Sequence, residues 1–258
     1  MAYDISKDFL SRLEFSNYPL MHIRIKFRLL IRAIRRTLNY LFPLKKRVFH
    51  KPEVIVTSHF EDTRAQYIGG HWAWVENIFP ESFLKNLIAY WPPRRYFNPP
   101  RIIIKSYDVG FKWDRGDAIP EYIELFPELE ALLAYLQSDE WSERLTDYTG
   151  SQKKISCNSF LANMTYPGSC IIPHKDTPLE DAGTLFLNMI FFIDGSGGGN
   201  SGELLLSHDS NQKDIFFVPT TLQNACLVYD TKGNFYHGFP PVARGTFRWV
   251  VTASFSAA

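Results

Sequence analysis

Tyr166-Pro-Gly-Ser-Cys-Ile-Ile-Pro-His174-Lys-Asp176, answered far along the chain by Phe235-Tyr-His237-Gly-Phe-Pro-Pro-Val242, organises the reading of this sequence. Two imidazoles and a carboxylate are donors that occupy one face of a six-coordinate metal and leave the opposite face open. On its own the triplet also reads as a turn histidine after Pro173 with Asp176 solvated. Its setting separates the two readings. The triplet follows a predicted strand and a Tyr-Pro-Gly turn, and His237 stands directly before the last predicted strand. Residues so far apart in sequence meet only if the sheet folds back on itself.

Outward from these residues, everything after Ser156 reads as short strands broken by turns. The predicted strands are 159–166, 184–193, 202–207, 214–218, 225–229 and 246–255, interrupted at Pro167-Gly168, Asp194–Asn200, Pro219 and Lys232–Asn234. Strands at this spacing without intervening helices predict a β-sandwich or jelly roll. The glycine-rich 194–200 stretch reads as a loop beside a site. On the last strand, Phe247, Trp249, Val251, Ala253 and Phe255 form an apolar face, and Arg248, Val250, Thr252 and Ser254 form the other. On 184–193, Asn188 shares a face with Ile190 and Phe192, and a buried Asn must find a hydrogen-bond partner.

Before this region the pattern is mixed. Val54–Val56 and Arg101–Lys105 read as strands, and Glu81–Tyr90 as a helix stopped by Trp91-Pro92-Pro93. Residues 119–136 continue in helical pattern, while Asn98–Pro100 and Tyr107–Gly110 read as turns.

At 45% hydrophobic and 21% charged, the 258 residues have the composition of a globular protein. Cys157, Cys170 and Cys226 are widely spaced without a CxxC pair, which predicts a reducing, cytoplasmic setting and no zinc ribbon. Asp4, Lys7 and Asp8 precede any apolar run, so the start does not resemble a secretory signal. The net charge of +1 hides an asymmetry. From Asn17 to His50 there is no acid and nine Lys and Arg, which leaves the remainder at −8. Ile23, Phe27, Leu30, Ile31, Ile34, Leu38 and Leu41 recur at helical spacing, with Arg24, Arg28, Arg32, Arg35 and Arg36 on another face. Two readings of this amphipathic helix stand: docking on an anionic membrane surface, at the inner face of the membrane, or packing on the protein's own core. The acidic body disfavours an extended nucleic-acid track. The organisation expected is a basic helical segment, 1–50, and a single domain, 51–258, with its β core at about 155–256.

Tyr166, Gly168, His174 and Asp176, then Ser201-Gly-Glu-Leu204, Asn224 to Tyr229, and His237 to Phe255, resemble in residues and order the Fe(II)/2-oxoglutarate-dependent dioxygenases. The prolyl-hydroxylase-like branch is the most similar. The resemblance implies a mainly β fold with N-terminal helices and a double-stranded β-helix (jelly roll) core. It implies Fe(II), 2-oxoglutarate and O2 as cofactors, and hydroxylation of a C–H bond. His174, Asp176 and His237 would hold the metal, with no catalytic residue beyond that centre. Asp176, where a Gly or Ala would vacate a halide position, implies hydroxylation over halogenation. Cosubstrate contacts would come from Tyr166, Asn188 and a basic residue on the last strand. Arg244 and Arg248 are the candidates for that residue. Alternation favours Arg248, because Arg244 precedes Gly245 in a turn. For substrate, the basic segment suggests an amphiphilic or lipid-linked sugar at a membrane, as in a membrane-associated Kdo hydroxylase acting on lipopolysaccharide. The alternatives are a soluble peptide or small-metabolite hydroxylase and a non-catalytic anion- or membrane-binding module.

Overall fold

A computed structural model describes residues 52, 54–97, 105–106, 108–119, 121–176, 186–195 and 204–257. The basic segment with Arg24, Arg28, Arg32, Arg35 and Arg36 lies outside the described residues, as do 98–104, which held most of a predicted strand.

In chain order the elements are α1 (His59–Asp62), α2 (Arg64–Gly70), β1 (Trp72–Glu76), α3 (Glu81–Ala89), β2 (Lys105–Ser106), β3 (Asp108–Asp114), α4 (Pro127–Leu136) and α5 (Asp139–Thr149). Then follow β4 (Ile155–Thr165), β5 (Cys170–His174), β6 (Phe186–Gly195), β7 (Leu205–Ser207), β8 (Ile215–Phe217), β9 (Ala225–Asp230), β10 (Tyr236–Phe239) and β11 (Arg248–Ala257). The strands form a six-stranded sheet, β1-β9-β6-β11-β4-β3, and a five-stranded sheet, β2-β5-β10-β7-β8. Every pairing is antiparallel. This is a jelly roll, one of the two architectures that strand spacing predicted and the one that the family resemblance implied.

The central strands of the large sheet are buried on both faces. Between the sheets lie Ile190, Phe192, Leu206, Leu227, Phe239 and Val250. On the outer face, Met189, Phe191, Val228 and Phe255 are buried as well, under a cover that includes Phe79, whose ring stacks on Phe191 at 5.6 Å. Both covers supply hydrophobic burial, so strand β6 reads as a continuous apolar run around Asn188. The helical layer is anchored by aromatics: Phe60 stacks on Tyr148 at 4.1 Å and lies 5.1 Å from Trp141. Trp141 is fully buried, so its truncation to Ala is expected to cost about 3–5 kcal/mol.

Several elements differ from the sequence reading. Val54–Val56 is not a strand; Val56 is buried, and the chain is tied instead through the Thr57 amide to the Ile78 carbonyl. The predicted turn at Tyr107–Gly110 is overturned, because 108–114 form β3. A bulge between Val109 and Lys112 absorbs the glycine, and the Phe97 ring fills the space where a side chain at Gly110 would stand. Helix α5 starts at Ser138, whose hydroxyl accepts the Trp141 amide, and stops at Gly150 in left-handed conformation (φ 67°).

Candidate metal centre

His174 ends β5, and His237 is the second residue of β10. The two pair directly across the small sheet, with ring centroids 4.3 Å apart. Gly238 makes that approach possible. A Cβ there would stand 2.7 Å from the Ile171 carbonyl oxygen and 2.8 Å from the Pro173 nitrogen. The ladder is irregular between His237 and Phe239, and Pro173, which has no amide to donate, sits against this irregularity. Lys175 reaches the other way. Its ammonium donates to Asn234 Oδ1 at 2.6 Å and lies over the Tyr236 ring, tying the segment between His174 and Asp176 to the entry of β10.

Asp176 crosses to the large sheet. Its Oδ2 accepts from Asn188 Nδ2 on β6 at 2.6 Å and from Tyr229 Oη on β9 at 2.8 Å. Its Oδ1 faces His174 Nε2 at 3.6 Å and His237 Nε2 at 3.8 Å, beyond hydrogen-bond length. The Nδ1–H of His174 donates to the Ile172 carbonyl at 2.8 Å, which leaves the Nε2 lone pair pointing inward, as a neutral imidazole ligand requires. One donor atom from each of the three residues lies within 4.8 Å of the others. Two imidazoles with a carboxylate oxygen between them fit a divalent transition metal of the Fe(II) type.

The triad opens into a cavity of about 250 Å³ between the sheets. Arg248, Val250, Thr252 and Ser254 line it from β11, so the alternation read from sequence is realised. Arg248 is 3% exposed, with its guanidinium 3.9 Å from the Phe239 ring centroid. Ser254, beside Asn188, lies about 20 Å further along the strand at 3.3 Å per residue. Lys112 lines the same cavity from β3, exposed and paired with Asp114, whereas Arg248 is buried, and a buried guanidinium fits the distal carboxylate of a dicarboxylate. Arg244 is exposed in a turn.

The remaining expected contacts fall differently. Tyr166 is not among the residues lining the cavity. It lies one residue past β4, and Ser159, Leu161 and Asn163 of that strand face the cavity, so position 166 takes the other side. Its ring lies under the Arg94 guanidinium, 4.0 Å away, and its hydroxyl points at Met164 Sδ. Asn188 does line the cavity, but its amide group is engaged with Asp176 and with Ser254, whose Oγ donates to Asn188 Oδ1 at 2.7 Å. Its contact is with a triad residue, where a cosubstrate contact was expected. Sequence reasoning missed Tyr229, whose hydroxyl also lies 3.3 Å from His237 Nε2. The available signal was a hydroxyl closing the apolar run Ala225–Val228 on the same face as Leu227.

The cysteines offer no competing nucleophile. All three are free thiols. Burial pushes Cys157 up to about 12 and raises Cys170 and Cys226 as well, so none is a thiolate near neutrality.

No protein-family model and no curated protein sequence matches the chain. Solved structures do match. A prolyl-4-hydroxylase from Pseudomonas putida is 16% identical, with 77% of this chain and 99% of that one covered at a TM-score of 0.56. A prolyl hydroxylase from Trichoplax adhaerens, solved with a hypoxia inducible factor oxygen degradation domain peptide, is 14% identical over 76% and 90% of the two chains, TM-score 0.56. An oxidoreductase of the 2OG-Fe(II) oxygenase family from Burkholderia pseudomallei is 16% identical over 76% and 90%, TM-score 0.54. At such identities the likeness is one of fold. The chain shares the jelly-roll fold of these oxygenases.

Proposed function

We propose that the chain is an Fe(II)- and 2-oxoglutarate-dependent dioxygenase that hydroxylates a C–H bond. The observation that carries this reading is the placement of His174, Asp176 and His237 on the wall of the cavity that also holds the buried Arg248. His174, Asp176 and His237 would hold the metal, and Arg248 would orient 2-oxoglutarate by its distal carboxylate. Held there, Fe(II) would let O2 act as the oxidant, one oxygen atom going into the product hydroxyl and the other into succinate as 2-oxoglutarate loses CO2.

The chain's own residues bind, orient and exclude water. Asn188 and Tyr229 hold the Asp176 carboxylate. Ile171, Ile190, Leu204 and Val250 give the cavity apolar walls, which limit water around a charged ligand and strengthen its pairing with Arg248. The test is succinate release from 2-oxoglutarate in air. Release that requires added Fe(II) and is lost in His174→Ala supports the reading. A chain that binds iron without releasing succinate, with or without candidate substrates, would be a binding module on the same fold.

For the substrate, the acid-free basic segment from Asn17 to His50 favours an amphiphilic molecule at an anionic membrane surface, of the lipid-linked sugar type that Kdo of lipopolysaccharide represents. No helix among the described residues is long and apolar enough to cross a membrane. Sedimentation with phosphatidylglycerol vesicles is expected to recover the wild-type chain and to lose a variant with Arg24, Arg28, Arg32, Arg35 and Arg36 all changed to Ala. Equal recovery would leave a peptide or small metabolite as the substrate class to pursue.

A further inference from the structure

Strand register places Tyr229, Asn188 and Ser254 directly opposite one another on β9, β6 and β11. All three face the cavity. The neighbouring row toward Arg248, in the same register, is Leu227, Ile190 and Thr252, which is largely apolar. The polar row therefore interrupts an apolar wall at the level of Asp176, and its hydrogen bonds run one way. Ser254 Oγ donates to Asn188 Oδ1, Asn188 Nδ2 donates to Asp176 Oδ2, and Tyr229 Oη donates to the same Oδ2. The carboxylate needs a donor from Asn188, and Ser254 takes up the amide oxygen that this orientation turns away, so the amide is fixed from both ends.

Both donors converge on one oxygen. Among the described residues no hydrogen bond reaches Oδ1, the oxygen that faces the two imidazoles. We propose that Tyr229, Asn188 and Ser254 are positioning residues that reserve Oδ1 for the metal and hold Asp176 as a single-oxygen ligand. The inference rests on the metal reading of the triad. To chelate through both oxygens, Asp176 would have to give up two charge-assisted hydrogen bonds. Held to one oxygen, it leaves three positions of a six-coordinate metal for cosubstrate and O2. Ser254 contributes without touching any ligand residue, by keeping the amide of Asn188 aimed at Asp176.

Full-length wild type, Tyr229→Phe, Asn188→Ala and Ser254→Ala are to be titrated anaerobically with Mn(II) by calorimetry. Visible spectra of their Co(II) forms report coordination number. The wild type is expected to bind one Mn(II). Tyr229→Phe and Asn188→Ala should bind it roughly 10- to 100-fold more weakly, Ser254→Ala should show a smaller loss, and the Co(II) bands should change in intensity. A merely structural role would lower the melting temperature and leave metal affinity and Co(II) spectrum unchanged. Wild-type affinity and spectrum in both Tyr229→Phe and Asn188→Ala would overturn the inference. Should those two fail to fold, Ser254→Ala decides it by the same readouts. A wild-type chain that binds no Mn(II) would overturn the metal reading and this inference with it.

Discussion

Adjacent residues of β9 serve two clusters built from the same three residue types. Tyr229 belongs to the Asp176–His237 cluster on the cavity side. Asp230 belongs to a cluster with Tyr67 and His71 on the helical side. Asp230 is 3% exposed and closed on every side. Its Oδ2 accepts from Tyr67 Oη at 2.6 Å and contacts His71 Nδ1 at 3.1 Å, while its Oδ1 accepts from the Lys232 amide at 2.8 Å. Burial, reinforced by Asp230, holds Tyr67 far above the usual phenol range, so it remains a donor. Asp176 has one oxygen equally closed and the other turned toward two imidazoles. Tyr, Asp and His together are thus no signature of chemistry. In one cluster they satisfy each other and pin α2 to the end of β9. In the other, a second histidine replaces the last donor and a carboxylate oxygen stays open.

Exchanging the damage between the clusters gives the largest effects. Asp176→Ala is expected to abolish Mn(II) binding in calorimetry while the metal-free chain keeps its fold. Asp230→Ala should do the reverse, keeping one metal per chain but losing about 3 kcal/mol in urea unfolding, because buried partners are left unsatisfied. Loss of metal in the second variant would join the clusters into one functional unit. Next comes Arg248→Met, for which the 2-oxoglutarate concentration needed for half-maximal succinate release should rise by about 10- to 100-fold, the worth of a charge-assisted pair. Arg244→Ala should leave it unchanged. Gly238→Ala is expected to destabilise the chain by about 1–3 kcal/mol and to weaken Mn(II) binding, since β10 must move off β5. Tyr67→Phe, the smallest of the set, should cost about 1 kcal/mol of stability and nothing in metal affinity.

The two sides of β9 were not equally legible. The β architecture followed from strand spacing and the inward face of β11 from alternation, because burial of one face imposes a period of two, whereas the triad was read from its resemblance to a known family. The role of Asn188 was half legible. Its apolar neighbours demanded a partner, but which group would supply it depends on Asp176 crossing between sheets, a contact no local pattern encodes. Tyr229 was hidden at the end of an apolar run, where an aromatic reads as core. Tyr166 was placed by its position relative to the triplet, yet parity on β4 points it away from the cavity. Two short strands, β5 and β10, carry the histidines but contain Pro173 and Gly238, residues that argue against strand in isolation. They are strands because Gly238 lets the two backbones touch, a reason visible only once both are paired.

In the proposed function one site takes a metal and a dicarboxylate together. Its most direct test is anaerobic binding of 2-oxoglutarate to the full-length protein with and without Mn(II), for the wild type, Asp176→Ala and Arg248→Met. One 2-oxoglutarate is expected to bind per wild-type chain, tightly only when Mn(II) is present, with binding lost in Asp176→Ala and strongly weakened in Arg248→Met. Binding that ignores the metal, or that persists unchanged in both variants, would contradict that function.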